Sequence, residues 1–444
     1  MTDGRTDGLA DSLLRRVAGL LALVATTAAT LTAQAPERVT VIRNATIVPV
    51  VGDRIPNGAV VIRGGRIDGV GRDLPAPPGA TVVDGTGLFV YPGLIDSGTE
   101  LGLTEIGSVP GGTDTRELGD LNPHDLSLSA VNPHSELIPV TRVNGITSVV
   151  TAAGGGLVSG YAALIDLAGW TPQEMGVVPR AGMVITYPRL AGGRFGGGGR
   201  GQQSQGADAA GQVNRQVEQL TQFLRNAKAY AERMTRAEAA GSRLDRVDLV
   251  LEAMVPVIQG KVPVIFDVRT VEQIRGALAL ADSFALKPII RGGAEAWQLA
   301  DDLAARKVPV IVGPTTVAPT DNDPYDMVYA NPGMLAKAGV QIAFQTAGAA
   351  DSRNLPYNVA LSVAYGLDPE EALRAVTINP ARIWGVADQL GSIERGKVAN
   401  LIVTTGDPLD VRTQIRHVFV RGVEQPMNDR HTRLYEQFKA RPKP

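Results

Sequence analysis

The chain has 444 residues, of which 44% are hydrophobic and 20% charged, enough to bury a large core. Its 43 basic and 45 acidic residues leave a net charge of −2, which excludes electrostatic attraction to nucleic acid or to an anionic membrane surface. No cysteine is present, so a disulfide framework, a thiol nucleophile and a lipid-modified cysteine are all excluded.

The N-terminus reads as an export signal over residues 1–35. Arg15 and Arg16 precede the apolar run Val17 to Leu31, shorter than the ~20 residues of a membrane span, and small residues follow at Ala33 and Ala35. The competing reading is a retained anchor. Cleavage near Ala33 or Ala35 implies a periplasmic or secreted protein with no membrane association afterwards, exported by the general or the twin-arginine route.

Short β segments follow. Val39 to Val50, Gly58 to Gly71 and Ala80 to Val90 combine β-branched residues, alternation and glycine turns, and predict a small antiparallel sheet. Lys397 to Leu409 and His417 to Gln425 have the same character, so residues 36–92 and 387–430 are expected to pair into one discontinuous β-sandwich domain.

Between them, residues 93–386 alternate apolar β runs with helical stretches. Candidate strands are Gly93 to Ser97, Ile146 to Thr151, Ala162 to Leu167, Met183 to Tyr187, Val262 to Asp267, Pro288 to Arg291, Val308 to Val312 and Val340 to Gln345. Continuous Val/Ile runs suit strands buried on both faces, and eight of them among helices predict an α/β fold, a (β/α)8 TIM barrel, with a doubly wound sheet as the alternative. Val213, Val217, Leu220, Leu224, Ala227, Ala231 and Met234 recur at steps of four and three and predict one amphipathic helix. The Gly/Gln-rich tract 191–211 before it predicts a mobile loop. A phosphate-cradling role is disfavoured because Gly196 to Gly199 lack the flanking Lys and Ser/Thr of a P-loop.

Several stretches together resemble the amidohydrolase superfamily. They are YPGLIDSGTELGL (Tyr91 to Leu103), VNPHSELIPVTRVNGITSVVTA (Val131 to Ala152), KVPVIFDVRTVEQIRGAL (Lys261 to Leu278) and, most specifically, TINPARIWG followed by GSIERGKVANLIV within Leu367 to Val403. The nearest likeness is to the imidazolonepropionase-like branch. That resemblance implies a TIM barrel, hydrolysis of non-peptide C–N bonds in cyclic amides or dipeptide-like substrates, and a divalent metal, Zn or Mn, which lowers the pKa of its bound water. In that family PGLID is followed by one residue and then His, any residue, His.

On this alignment the family's ligand positions fall at Gly98, Glu100, Asp267, Gly292 and Ala347, with Gly348 adjacent to the last. None is histidine, and the residues themselves imply no cofactor. Asp351 substitutes for the catalytic aspartate only if the register slips. His417 and His431 are expected away from the barrel mouth, and His124 and His134 suit a loop better than a metal. The carboxylates of Glu100, Asp267, Asp96 and Asp351 offer oxygen only, which suits Mg, Mn or Ca better than Zn. Asp96 is better explained as structural. Glu100, Asp267, Arg269 and Arg291 are expected at the strand C-terminal face as an ion-paired network, with the acids as candidate general bases and the arginines as oxyanion partners. Three readings follow: a hydrolase with an altered site, an inactive paralogue binding a small anion through Arg269, Arg291 and Arg353, and an inactive subunit in a mixed oligomer with an active relative. A homo-oligomer is also compatible with these residues.

Overall fold

A computed structural model describes residues 38–189, 206–243, 246–318 and 323–442. The predicted export signal lies outside them, and none of the described helices is long and apolar enough to cross a membrane.

The chain ends build one sheet. Its strands are β1 (Val39–Ile47), β2 (Ile55–Arg63), β3 (Arg66–Gly71), β4 (Thr81–Asp84), β5 (Phe89–Pro92), β14 (Leu401–Thr404), β15 (Ile415–Val420) and β16 (Val423–Gln425). The order is β16-β15-β14-β5-β1-β2-β3, with β4 paired to β1. Val60 and Ile62 of β2 share a core with Leu401 and Val403 of β14, so neither chain end buries its apolar face alone. The sheet is mixed where the sequence predicts an antiparallel one. β1 runs parallel to both β4 and β5, because the connection after β3 is long enough to carry the chain back before it pairs.

The second sheet contains β6 (Leu94–Thr99), β7 (Ile146–Thr151), β8 (Val158–Asp166), β9 (Gly176–Thr186), β10 (Val264–Val268), β11 (Pro288–Gly292), β12 (Val310–Val312) and β13 (Ile342–Phe344), paired in that sequence. A parallel bridge between Thr99 and Ala347 joins β6 to the end of β13 and closes the barrel. All eight predicted strands are present. One departs from the expected direction: β8 is antiparallel to both β7 and β9. Only residues 152–157 separate β7 from β8, too few for the crossover of a dozen or more residues that parallel pairing needs.

Ile95, Val150, Leu164, Val184, Ile265, Ile289 and Ile311 fill the barrel interior together with Ile378, Ala381 and Trp384 from and beside the helix Ile378–Ile383. Two hydrogen bonds hold that helix to the last strand: Gln341 Nε2 donates to the Asn379 carbonyl (3.4 Å), and Asn379 Nδ2 to the Ile342 carbonyl (3.2 Å). The predicted amphipathic helix spans Gly206–Ala239, with Leu220, Leu224, Ala227 and Ala231 buried. Its start corrects the predicted loop 191–211, since residues 206–211 are helical. Three alanines in GADAAG favour helix enough to extend the pattern backwards. The rest of that tract, residues 191–205, lies outside the described residues.

One polar cluster fixes the small sheet to the barrel. Asp166, buried at the end of β8, accepts from Arg421 Nε (2.6 Å), Asn400 Nδ2 (2.8 Å) and Ser148 Oγ (2.8 Å), while Arg421 Nη1 donates to the Glu174 carbonyl (2.5 Å). Replacing Arg421 by Ala leaves the Asp166 carboxylate short of its cationic partner. Urea denaturation is expected to show a loss on the order of 2 kcal/mol; a change within experimental error refutes this role.

Candidate active site

β10 and β11 are parallel, and their register places Asp267 beside Arg291. Each lies two residues beyond an interior isoleucine, Ile265 or Ile289, so both side chains point into the barrel towards its C-terminal face. Arg291 clasps Asp267 bidentately, with Nη2 2.6 Å from Oδ2 and Nε on Oδ1. The Arg291 side chain is 11% exposed and that of Asp267 31%. Burial acts to lower the Arg291 guanidinium, but the charge and hydrogen bonds of Asp267, with the charge of Glu100, outweigh it and hold it above the usual arginine value.

Glu100 follows β6, half-buried and within the field of Arg291. Burial raises its carboxyl above the usual glutamate value, only partly offset by a hydrogen bond from Thr104 Oγ1 (3.3 Å) and by the Arg291 charge. The structure therefore brings Glu100, Asp267 and Arg291 together. Arg269 is a correction: it is exposed, and its guanidinium makes no ion pair or hydrogen bond among the described residues. It sits one residue past the end of β10, where the chain turns outward and its backbone bonds to Gln273 and Glu295.

The remaining family ligand positions are closed by their surroundings. A Cβ at Gly98 would lie 2.4 Å from Gln345 Oε1, so the Gln345 amide occupies the space a ligand side chain needs. That amide is itself anchored through Nε2 on the Gly313 carbonyl (2.9 Å). At Gly292 φ is +94° and a Cβ would meet the Val268 carbonyl at 2.8 Å. Ala347, at φ 63°, contributes backbone: its N–H donates to the Gly98 carbonyl (2.9 Å), and its carbonyl accepts from Glu100 N–H (3.0 Å). Asp351 is exposed and bonded to Asn354 Nδ2 (3.4 Å). Among the described residues no three His, Asp or Glu side chains are grouped to hold a metal ion. These residues do not fit the family's metal centre.

The histidines are scattered. His124 lies 3.6 Å from Asp125, His134 sits edge-on to Trp170, and His417 pairs with Glu424 (2.7 Å). His431 corrects the expectation of a tail remote from the barrel. Its Nε2 is 3.4 Å from Arg353 Nη1, on the turn that follows β13, and Arg433 binds Glu136 (2.7 Å) nearby. Arg353 is thereby engaged by the tail.

Sequence reading missed the partners of Asp96. The fully buried Asp96 carboxylate accepts from Gly98 N–H (3.1 Å), Thr346 N–H (3.2 Å) and Thr346 Oγ1 (2.5 Å), tying β6 to the end of β13. Burial outweighs these bonds and pushes its pKa up to about 7.

Comparison with known proteins bears on this arrangement. Residues 316–426 match the model of the Amidohydrolase family. The solved amidohydrolase from Thermotoga maritima MSB8 superposes with a TM-score of 0.77 and 27% identity, over 87% of this chain and 99% of that one. These likenesses in sequence and fold support the amidohydrolase superfamily. Among curated relatives, "Amidohydrolase tasK" of Hapsidospora irregularis is 25% identical over 403 residues, 83% of this chain and 40% of that protein. An imidazolonepropionase of Flavobacterium johnsoniae is 38% identical over 89 residues, 19% of this chain and 21% of that protein. The chain thus spans well under two thirds of the curated relatives it matches. The superfamily is generally metal-dependent, which sharpens the contrast with the residues found here.

Two measurements test these assignments. Arg291→Ala strands the Asp267 charge and is expected to cost about 2–3 kcal/mol in thermal or urea unfolding, below the range for a fully buried pair because Asp267 is partly exposed. Arg269→Ala should stay within about 0.5 kcal/mol of the parent, and equal effects would refute the division. Asp96 holds its proton more tightly folded (about 7) than its ordinary value of 3.8, so its contribution is fully present below pH 3.8 and is lost as pH rises through about 7. Across that window the parent should lose stability relative to Asp96→Asn, by an amount on the order of 4 kcal/mol; parallel pH profiles would contradict the assignment.

Proposed function

We propose that this superfamily member has exchanged the metal-centred hydrolytic site for an ion-paired pocket and binds a small amide-bearing ligand through it. One observation carries the reading: the space and groups a metal would need are taken by Gln345 over Gly98 and by the Arg291 clasp on Asp267. Asp267 uses Nε and one N–H of Nη2, so Arg291 retains Nη1 for a ligand oxygen. The Glu100 carboxylate beside it accepts an N–H. A cyclic amide presents an adjacent N–H and C=O and complements this pair, and the names of the relatives, imidazolonepropionase among them, support C–N-bonded ligands.

The raised carboxyl of Glu100 favours a second reading, hydrolysis of non-peptide C–N bonds without an ion. Glu100 would take a proton from water while Arg291 Nη1 faces the developing oxyanion. The Arg15 to Ala35 segment supports a periplasmic or secreted location.

The test combines metal analysis of the purified chain with calorimetric titration of cyclic amides and dipeptides, with and without chelator. Sub-stoichiometric metal, chelator-insensitive binding and roughly tenfold weaker binding in Glu100→Ala are expected. Stoichiometric Zn or Mn with chelator-sensitive turnover would overturn the proposal. Chelator-insensitive turnover that is lost in Glu100→Ala would establish the second reading.

A further inference from the structure

One cleft among the described residues is not at the strand C-terminal face. It lies beneath the opposite end of the barrel, has a volume of ≈ 650 Å³, and is bounded by the Val50–Gly52 loop of the small sheet, by Val340 and Gln341 ahead of β13, and by helices carrying Arg374 and Arg382. In a TIM barrel this face ordinarily serves stability. Here it is open, and Arg374 and Arg382 line it beside one carboxylate, Glu371.

Three independent features distinguish it. Arg382 is exposed and makes no ion pair or hydrogen bond among the described residues. Arg374 reaches Glu370 and Glu371 only at 3.8 Å, within its own helix, and Glu371 Oε1 is held by Asn379 Nδ2 (2.7 Å). Both guanidiniums therefore keep donors for another anion. The wall beside them is apolar, formed by Val50, Val51, Val340 and Ile378. Val50 holds φ at 70°, a conformation costly for a β-branched residue, and packs against the cluster containing Ile378 and Ala381. The loop is held in a strained shape against the barrel, which keeps the apolar wall facing the arginines.

We propose that this cleft is a second binding site, distinct from the Glu100–Asp267–Arg291 pocket, for an amphipathic monoanion whose carboxylate binds Arg374 and Arg382 and whose short aliphatic part lies on the valine and isoleucine wall. Because it joins the small sheet to the barrel floor, occupancy stabilises their junction.

The probe is hexanoate, with acetate and hexan-1-ol as controls, followed by thermal unfolding and calorimetric titration on the full chain. Hexanoate is expected to raise the melting temperature with concentration, and acetate and hexan-1-ol to do so much less. Arg382→Gln should weaken hexanoate binding about tenfold. Ala336→Trp, which fills the cleft while leaving both arginines, should abolish it. Melting curves without ligand establish that each variant folds, and a variant that does not fold is replaced by Arg374→Gln. No response to hexanoate, an equal response to acetate, or undiminished binding in Arg382→Gln overturns the proposal.

Discussion

Closure of the barrel between β6 and β13 is the constraint on which the rest of this structure depends. β13 is only three residues long and is joined to β6 by a bridge rather than a ladder. The seam is therefore completed by side chains and turns: Asp96 on Thr346 and Gly98, the Ala347 backbone on Gly98 and Glu100, and Thr99 Oγ1 on Ser352 Oγ (2.6 Å). Gly98, Glu100 and Ala347, three positions where the family resemblance places a ligand, are among these groups. Gln345 adds its amide to the same seam, over Gly98. The segment that would present metal ligands is committed to holding the barrel shut.

The charge balance of the mouth follows from that commitment. The bidentate clasp neutralises Asp267 with Arg291, leaving Glu100 as the carboxylate without a bonded cation. A divalent ion needs several anionic or imidazole donors converging on one point. One half-buried glutamate beside a guanidinium supplies neither the number nor the sign. The same pair suits a neutral amide, which offers a donor to Glu100 and an acceptor to Arg291.

The two faces of the barrel are held to the small sheet by different chemistry. The Asp166–Arg421–Asn400–Ser148 cluster is a saturated polar lock, with every oxygen of the buried carboxylate bonded. The contact at the Val50–Gly52 loop is looser, with a strained backbone, an apolar wall and two arginines with spare donors. Saturated networks fix geometry, whereas unsaturated ones beside a cleft leave room for a ligand.

The sequence by itself determined what depends on local pattern and composition. Buried Val/Ile runs marked all eight barrel strands, a four-three stripe marked the helix Gly206–Ala239, and β-branched segments at both ends marked the composite sheet. PGLID and the stretch around TINPARIWG carried the family resemblance, and Glu100, Asp267 and Arg291 were legible as a cluster because each ends or follows a barrel strand. Only the tertiary structure decided the direction of β8: the predicted strand begins at Ala162, and its extension back to Val158 shortens the connection to residues 152–157, too few for a parallel crossover. It also separated Arg269 from Arg291, because one residue past a strand end is enough to turn a side chain outward. The blockade of Gly98 by Gln345 and the Asp96–Thr346 tie join residues about 250 apart in the chain; no periodicity encodes such contacts, which exist only once the barrel closes.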